Sequence, residues 1–263
     1  MKRIILICIG TIIVSLTLFI MFTQHYYSPA KEIKSFKIEH HDDDTIRIAF
    51  IGDSWAFFHK HHTCKMDSVI NSRIHRPVKV MSEGGCGATS RFICNGISPK
   101  GPISNIICQR PDYCILSAGI NDSHLKMGKE FYTHNMSLIL HFLKKNNITP
   151  IILEIPDYDI YKVYSELPQW KKVFRRFSMF VTGSSMDCRN EYRQELSNML
   201  QKDFTPGQIH VLGYDQWPSD ALHDTPELYR KDRIHLNEKG YALLDSCLAR
   251  IIITDYSSRT QSD

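Results

Sequence analysis

Hydrophobic positions along this chain fall into segments of different kinds. From Ile4 to Phe22 they form one uncharged run, broken only by small or hydroxyl residues and preceded by Lys2 and Arg3. At about 1.5 Å per residue in a helix, such a run reaches roughly across a hydrocarbon core. A cleaved signal peptide usually has a shorter apolar stretch followed by a small-x-small site. Thr23-Gln24-His25-Tyr26-Tyr27 offers no such site, and Cys8 follows Ile7 too early to be a lipid acceptor. The run therefore predicts an uncleaved signal anchor over residues 1–24. Residues 25–44 are polar, contain Pro29 and end in His40-His41-Asp42-Asp43-Asp44. They read as a solvated linker rather than a metal site.

Beyond Thr45 the pattern changes to short apolar runs separated by helical spacings. Strands are expected at Thr45–Ile51, Pro77–Met81, Tyr113–Ser117, Pro150–Ile155 and Gln208–Leu212. Ser54 can open a helix after the first strand. Glu130–Asn146 carries Phe131, Leu138, Phe142 and Leu143 on or near one helical face, and Asn237–Ile252 reads as a closing helix. A largely helical stretch, in two or three pieces, lies between the fourth and fifth strands. Strands alternating with helices imply an α/β fold with a mainly five-stranded parallel sheet covered on both faces. The folded domain is expected over residues 45–256, with 257–263 as a tail. In such a sheet chemistry gathers at the carboxyl ends of the strands.

Composition narrows this picture in three ways. The length of 263 residues suits one sizeable domain plus an anchor, and 43% hydrophobic content is ordinary for a folded domain. The net charge of +4 is mild and dispersed, so nucleic acid is not an expected partner. Cys64, Cys86, Cys94, Cys108, Cys114, Cys188 and Cys247 follow the anchor; so many thiols fit one to three disulfides in an oxidising compartment. No pair has zinc-finger spacing, and no metal or other cofactor is expected. Lys2 and Arg3 place the amino terminus in the cytoplasm and the domain in the periplasm or exterior, on an inner membrane. Lys31, Lys34 and Lys37 beyond the span weaken that asymmetry.

Three polar blocks fall in the loops where chemistry is expected, and a fourth lies before the last helix. Gly52-Asp53-Ser54 ends the first strand, Gly84-Gly85-Cys86-Gly87-Ala88-Thr89 follows the second, and Gly119-Ile120-Asn121-Asp122 follows the third; Asp232-Arg233-Ile234-His235 precedes the last helix. In order and spacing they resemble the blocks of the SGNH/GDSL hydrolases, over roughly Ile46 to Leu248. The resemblance implies a three-layer, flavodoxin-like α/β/α sandwich and a serine esterase. It makes Ser54 the nucleophile, His235 the base and Asp232 the carboxylate that orients it. Ser54 N–H, Gly87 N–H and the Asn121 amide become the oxyanion donors. This sequence departs from the family pattern at Trp55, where Leu is usual, and at Ser82 and Gly85-Cys86, which leaves Gly85 as the alternative donor.

Each role has a physical basis. A serine hydroxyl attacks an acyl carbon only when a base removes its proton. Imidazole titrates near neutrality and can return that proton to the leaving alcohol. A carboxylate three residues away can hold the Nδ1–H tautomer. The alternatives are that Ser54 is a plain helix N-cap, His235 a plain surface histidine, and Gly87 and Asn121 turn formers only.

Other residues are expected to be structural. Asp53 and Asp122 should hydrogen-bond loop backbone, and Cys86 should be buried or disulfide-bonded rather than nucleophilic. His59, His61 and His62 are expected on an exposed helix face or active-site rim. Tyr158, Tyr161, Tyr164 and Trp170, with Lys171, Lys172, Arg175 and Arg176, could line an acyl or sugar cleft and meet anionic glycan or lipid headgroups; core packing with a solvated basic face is the plainer expectation. The function expected is hydrolysis of acetyl or short acyl esters, with acylated cell-envelope carbohydrate as substrate. An O-acyltransferase using the same triad and a catalytically silent binding module are the competing readings.

Overall fold

A computed structural model describes residues 2–39, 41–62, 65–216 and 226–260. Five strands, β1 (Ile46–Gly52), β2 (Val78–Gly84), β3 (Tyr113–Ser117), β4 (Thr149–Leu153) and β5 (His210–Leu212), form one parallel sheet in the order β2-β1-β3-β4-β5. Helices α1 (Lys2–Tyr26), α2 (Ser54–His59), α3 (Met66–Ile74), α4 (Ser90–Ile97) and α5 (Ser104–Ile107) precede β3. Helices α6 (Ile120–Leu125) and α7 (Lys129–Lys145) connect β3 to β4; α8 (Ile160–Ser165), α9 (Gln169–Thr182) and α10 (Arg189–Asp203) connect β4 to β5; α11 (Glu238–Thr260) closes the chain. The expected α/β sandwich with a five-stranded parallel sheet is what the chain forms.

The inner strands are apolar because both faces of the sheet are covered. Ile48, Ala49, Phe50 and Ile51 of β1, and Cys114, Ile115 and Leu116 of β3, are all fully buried. After β2 the chain crosses β1 to lay down β3 on its other side. That reversal opens a crevice at the carboxyl ends of β1 and β3, the place where α/β sheets bind ligands. Gly52 makes the tight exit from β1 possible: a Cβ there would lie 2.1 Å from the Ser117 carbonyl oxygen.

Three regions differ from the expectations. Residues 25–44 are not a free tether. Ala30 is buried, its N–H donates to Asn135 Oδ1 at 2.8 Å, and Phe36 stacks on Phe142 with ring centroids 5.6 Å apart. Helix α11 runs on to Thr260, into the expected tail, because Asp255 accepts from Tyr113 Oη at 2.9 Å and Arg259 donates to Thr149 Oγ1 at 2.8 Å. Expected disulfides are replaced by free thiols at Cys86, Cys94, Cys108, Cys114, Cys188 and Cys247. Cys94, Cys114, Cys188 and Cys247 serve instead as small buried hydrophobes in the core, while Cys64 lies outside the described residues.

Candidate active site

The turn that follows β1 begins with Asp53, not Ser54, as the cap of α2. Asp53 Oδ1 accepts from the Trp55 N–H at 2.9 Å and from Ser117 Oγ at 2.7 Å. This leaves the Ser54 hydroxyl free of capping, and it meets His235 instead: Ser54 Oγ and His235 Nε2 are 2.8 Å apart. His235 Nδ1 lies 2.8 Å from Asp232 Oδ2. Residues 181 positions apart in the chain are thus within hydrogen-bond reach, in the serine–histidine–carboxylate order of an acyl-transfer triad.

The loop carrying Asp232 and His235 is a small closed hairpin. Tyr229 and Leu236 form an antiparallel bridge, the Arg230 N–H donates to the His235 carbonyl at 2.7 Å, and Arg233 takes a positive φ of 56° at the tip. Asn237 locks its base, donating to the Tyr229 carbonyl and capping α11 through the Lys239 N–H. Asp232 Oδ1 accepts from the N–H groups of Ile234 and His235, both at 2.9 Å. Partial burial pulls the Asp232 carboxyl upward, but the His235 N–H, the His235 ring and the Ile234 N–H outweigh it and hold the group below the usual carboxylate range. The His235 ring stands edge-on to Phe58 at 5.0 Å, and the Arg230 guanidinium lies over the Phe58 ring at 4.0 Å.

A cavity of about 240 Å³ opens at this point, lined by Ser54, Gly87, Asn121, His235 and an apolar wall that includes Phe58, Tyr158 and Val163. Gly87 has φ +75° and no atom within 4 Å of a would-be Cβ, so its left-handed backbone faces open space. The Gly85 N–H is already bonded to the Gly52 carbonyl at 3.1 Å. Of the two glycines, only Gly87 lines the cavity with its N–H uncommitted to that turn. Asn121 Nδ2 donates to the Ala88 carbonyl at 2.9 Å, which fixes the amide while leaving its second hydrogen for another acceptor.

Asp53 and Asp122 are structural, as expected, and both are fully buried. Burial pushes the Asp53 carboxyl up to about 7, against hydrogen bonds from Ser117 and Trp55 that pull it down. Asp122 is likewise pushed up to about 6, against bonds from Ser90. Asp122 accepts from Ser90 N and Oγ, and Ser90 Oγ accepts from Asn135 Nδ2 at 3.0 Å, so this block clamps α4 to α7.

Two expectations are corrected here. Cys86 is neither buried nor bonded; it is an exposed thiol on the cavity wall, because the glycine turn projects outward. His59 is buried rather than exposed: Nδ1 lies 2.7 Å from Ser82 Oγ and Nε2 2.8 Å from Asp245 Oδ1. Its carboxylate partner comes from α11, which nothing near His59 in the chain could reveal. Only His61 of that trio is exposed. Among the described residues no group of three or more His, Cys, Asp or Glu side chains could hold a metal ion.

His124 is a cavity residue the motifs did not flag. Burial, then the charges of Arg175, Lys126 and Lys171, press its imidazole down to about 4, so it is neutral at physiological pH. Its spacing of three from Asn121 on α6 was the available signal, since such pairs share a helix face. A wider groove of about 980 Å³ runs along the β5 edge between Lys144 and Arg259, and none of its lining residues lines the Ser54 cavity.

No protein-family model matches the sequence, and no curated protein sequence does. Solved structures do match. A lipase/acylhydrolase from Enterococcus faecalis is 17% identical, with a TM-score of 0.54 over 80% of this chain and 96% of its own. An acetyl xylan esterase is 15% identical, with a TM-score of 0.57 over 79% of this chain and all of its own. A GDSL-like lipase from Bacteroides thetaiotaomicron is 16% identical, with a TM-score of 0.51 over 78% and 87%. The chain therefore has the fold of the SGNH/GDSL lipase–acylhydrolases. Within that fold the blocks at Ser54, Gly87, Asn121 and Asp232–His235 converge on one cavity.

Proposed function

We propose that the protein is a serine esterase working through an acyl-Ser54 intermediate. The observation that carries the reading is the 2.8 Å approach of Ser54 Oγ to His235 Nε2, with Asp232 2.8 Å behind the same ring. As Ser54 attacks the ester carbon, His235 Nε2 takes the hydroxyl proton. The carbonyl oxygen becomes an oxyanion, met by the N–H groups of Ser54 and Gly87 and the free amide hydrogen of Asn121. Collapse breaks the C–O bond to the alcohol, which leaves with the proton from His235. Water then attacks the acyl-enzyme, His235 again acting as base, and the carboxylic acid departs from Ser54. Asp232, held ionised, stabilises the imidazolium formed in each half.

The cavity favours small acyl groups. At about 240 Å³ it is below the roughly 300–1,000 Å³ of sites for drug-sized ligands, and Phe58, Ile120, Tyr158, Val163 and Ile234 make its lining largely apolar. Hydrolysis is favoured over acyl transfer because the Asp232 side chain is 46% exposed and that of His235 24%, so water reaches the base. Acetyl or short acyl esters of cell-envelope carbohydrate are the substrates we infer, a chemistry in keeping with the acetyl xylan esterase of the same fold. Helix α1, with an apolar window at Ile9–Tyr26, would anchor the enzyme in the inner membrane, the domain facing outward.

The test is a panel of aryl esters of rising acyl length, hydrolysed by the full chain in detergent beside Ser54→Ala and His235→Ala. Labelling of Ser54 by a fluorophosphonate and a preference for the shortest esters are expected. Hydrolysis persisting in both variants sinks the mechanism. Acetate release that falls when a glycan acceptor is added would turn the reading to acyl transfer.

A further inference from the structure

Helix α9 is built inside out. A helix packed on a water-soluble domain turns its apolar stripe inward, yet here Arg175 and Ser178 are buried while Trp170, Val173 and Phe180 are 68%, 65% and 85% exposed. At about 100° per residue, Trp170, Val173, Phe174, Phe177, Phe180 and Val181 share one arc roughly 120° wide. An exposed apolar face of this kind marks a contact surface rather than a solvated helix.

What lies against part of that face is α1. The Tyr26 and Phe174 rings meet edge-on at 5.5 Å, and the Phe19 and Phe177 rings meet at a tilt at 5.2 Å. Tyr27 Oη donates to Ser178 Oγ at 2.7 Å, and Arg91 holds the His25 and Ser28 carbonyls, so the outer end of α1 is seated on the domain. Phe19 lies inside the apolar window Ile9–Tyr26. Any bilayer that receives this window therefore also reaches the level of Phe177 and the exposed residues beside it. Exposed Lys171 and Arg176 stand on either side of the arc, where ammonium and guanidinium groups meet headgroups while their stems lie along apolar surface.

We infer that the exposed apolar face of α9 lies in the headgroup–acyl boundary of the bilayer beside α1, so that the membrane surface is a second support of the domain. This rests on the reading of α1 as a membrane anchor. Two contacts, a span and an interfacial helix, fix the domain's orientation where a single tether would leave it free to turn. The segment that enters α9 also carries Tyr158 and Val163, so one wall of the ester cavity is joined to the membrane-seated helix.

The full chain reconstituted in vesicles of phosphatidylcholine and phosphatidylglycerol tests this. Flotation with the vesicles after a high-pH wash reports the anchor. The fluorescence difference between wild type and Trp170→Phe isolates Trp170 from Trp55 and Trp217, and lipids brominated high on the acyl chain report its depth. Flotation with loss of most of that difference on bromolipid, and little loss with aqueous iodide, is the result expected. In Val173→Asp/Phe180→Asp the bromolipid effect should fall while flotation stays. Flotation with Trp170 quenched by iodide and not by bromolipid would overturn the α9 assignment alone. So would cross-linking between two copies through α9 without bromolipid quenching, which would make the face a dimer contact. Failure to float would remove the anchor and the α9 assignment together.

Discussion

Asp53 offers the sharpest quantitative test, because its neighbours specify where its proton sits. Oδ1 takes both hydrogen bonds, from Trp55 and Ser117; Oδ2 is buried with no partner among the described residues. An ionised carboxylate in that position would leave half its charge unpaired in the interior, so burial raises the group from 3.8 to about 7. The folded state thus keeps a proton that the unfolded chain has already released between these two values. Protons bound are then fewer unfolded than folded, and stability falls as pH rises. The stability is fully present below about pH 4 and is lost as pH climbs through about 7. At about 1.4 kcal/mol per unit, a rise of some three units corresponds to a loss on the order of 4 kcal/mol. Asp53→Asn keeps the acceptor for Trp55 and Ser117 and removes the ionisation. Urea unfolding of the full chain in detergent, followed by Trp fluorescence at pH 4, 5, 6 and 7, should show the variant gaining on wild type toward neutrality. Asp122, also raised, would carry the slope that remains. Parallel stability profiles for the two proteins would refute the assignment of that proton to Asp53.

Further outcomes follow from the site. Asn121→Ala should lower kcat by roughly 10²–10³-fold with little change in the melting temperature, as loss of one oxyanion donor does; an unaltered kcat would remove Asn121 from the site. Gly87→Ala meets no steric obstacle but must hold φ near +75°, an expense of about 1–2 kcal/mol, so stability should drop modestly and kcat should fall with the displaced N–H. His59→Ala should destabilise the fold by about 3 kcal/mol or more, because Asp245 and Ser82 lose their buried partner; a chemical melt matching wild type would show that water replaces the ring.

Much of this protein was legible from the chain alone, for reasons that are local. Strand β3 matched its expected limits because Tyr113–Ser117 is buried on both faces and so reads as an unbroken apolar run. Three of the polar blocks were legible because each directly follows an apolar strand, and parallel topology delivers all strand ends to one side. Asp232 and His235 are only three residues apart, so their pairing needed no long-range information.

What tertiary structure decided is which surface covers which face. Periodicity reports that a segment has an apolar side and not what lies against it. Residues 25–44 look solvated by composition, yet Ala30 and Phe36 are bound by α7 across more than a hundred positions. His59 reads as part of a hydrophilic trio until α11 brings Asp245 to it, and the thiols read as bridges until each is placed in a different part of the core or surface. Helix α9 shows the limit most clearly: its pattern alone is that of any amphipathic helix, and only the burial of Arg175 and the meeting of Phe177 with Phe19 turn its apolar face outward. The chain determined its strands, its turns and the chemistry of its loops through local sterics and burial. The orientation of faces depended on contacts between residues far apart in sequence, which no local pattern encodes.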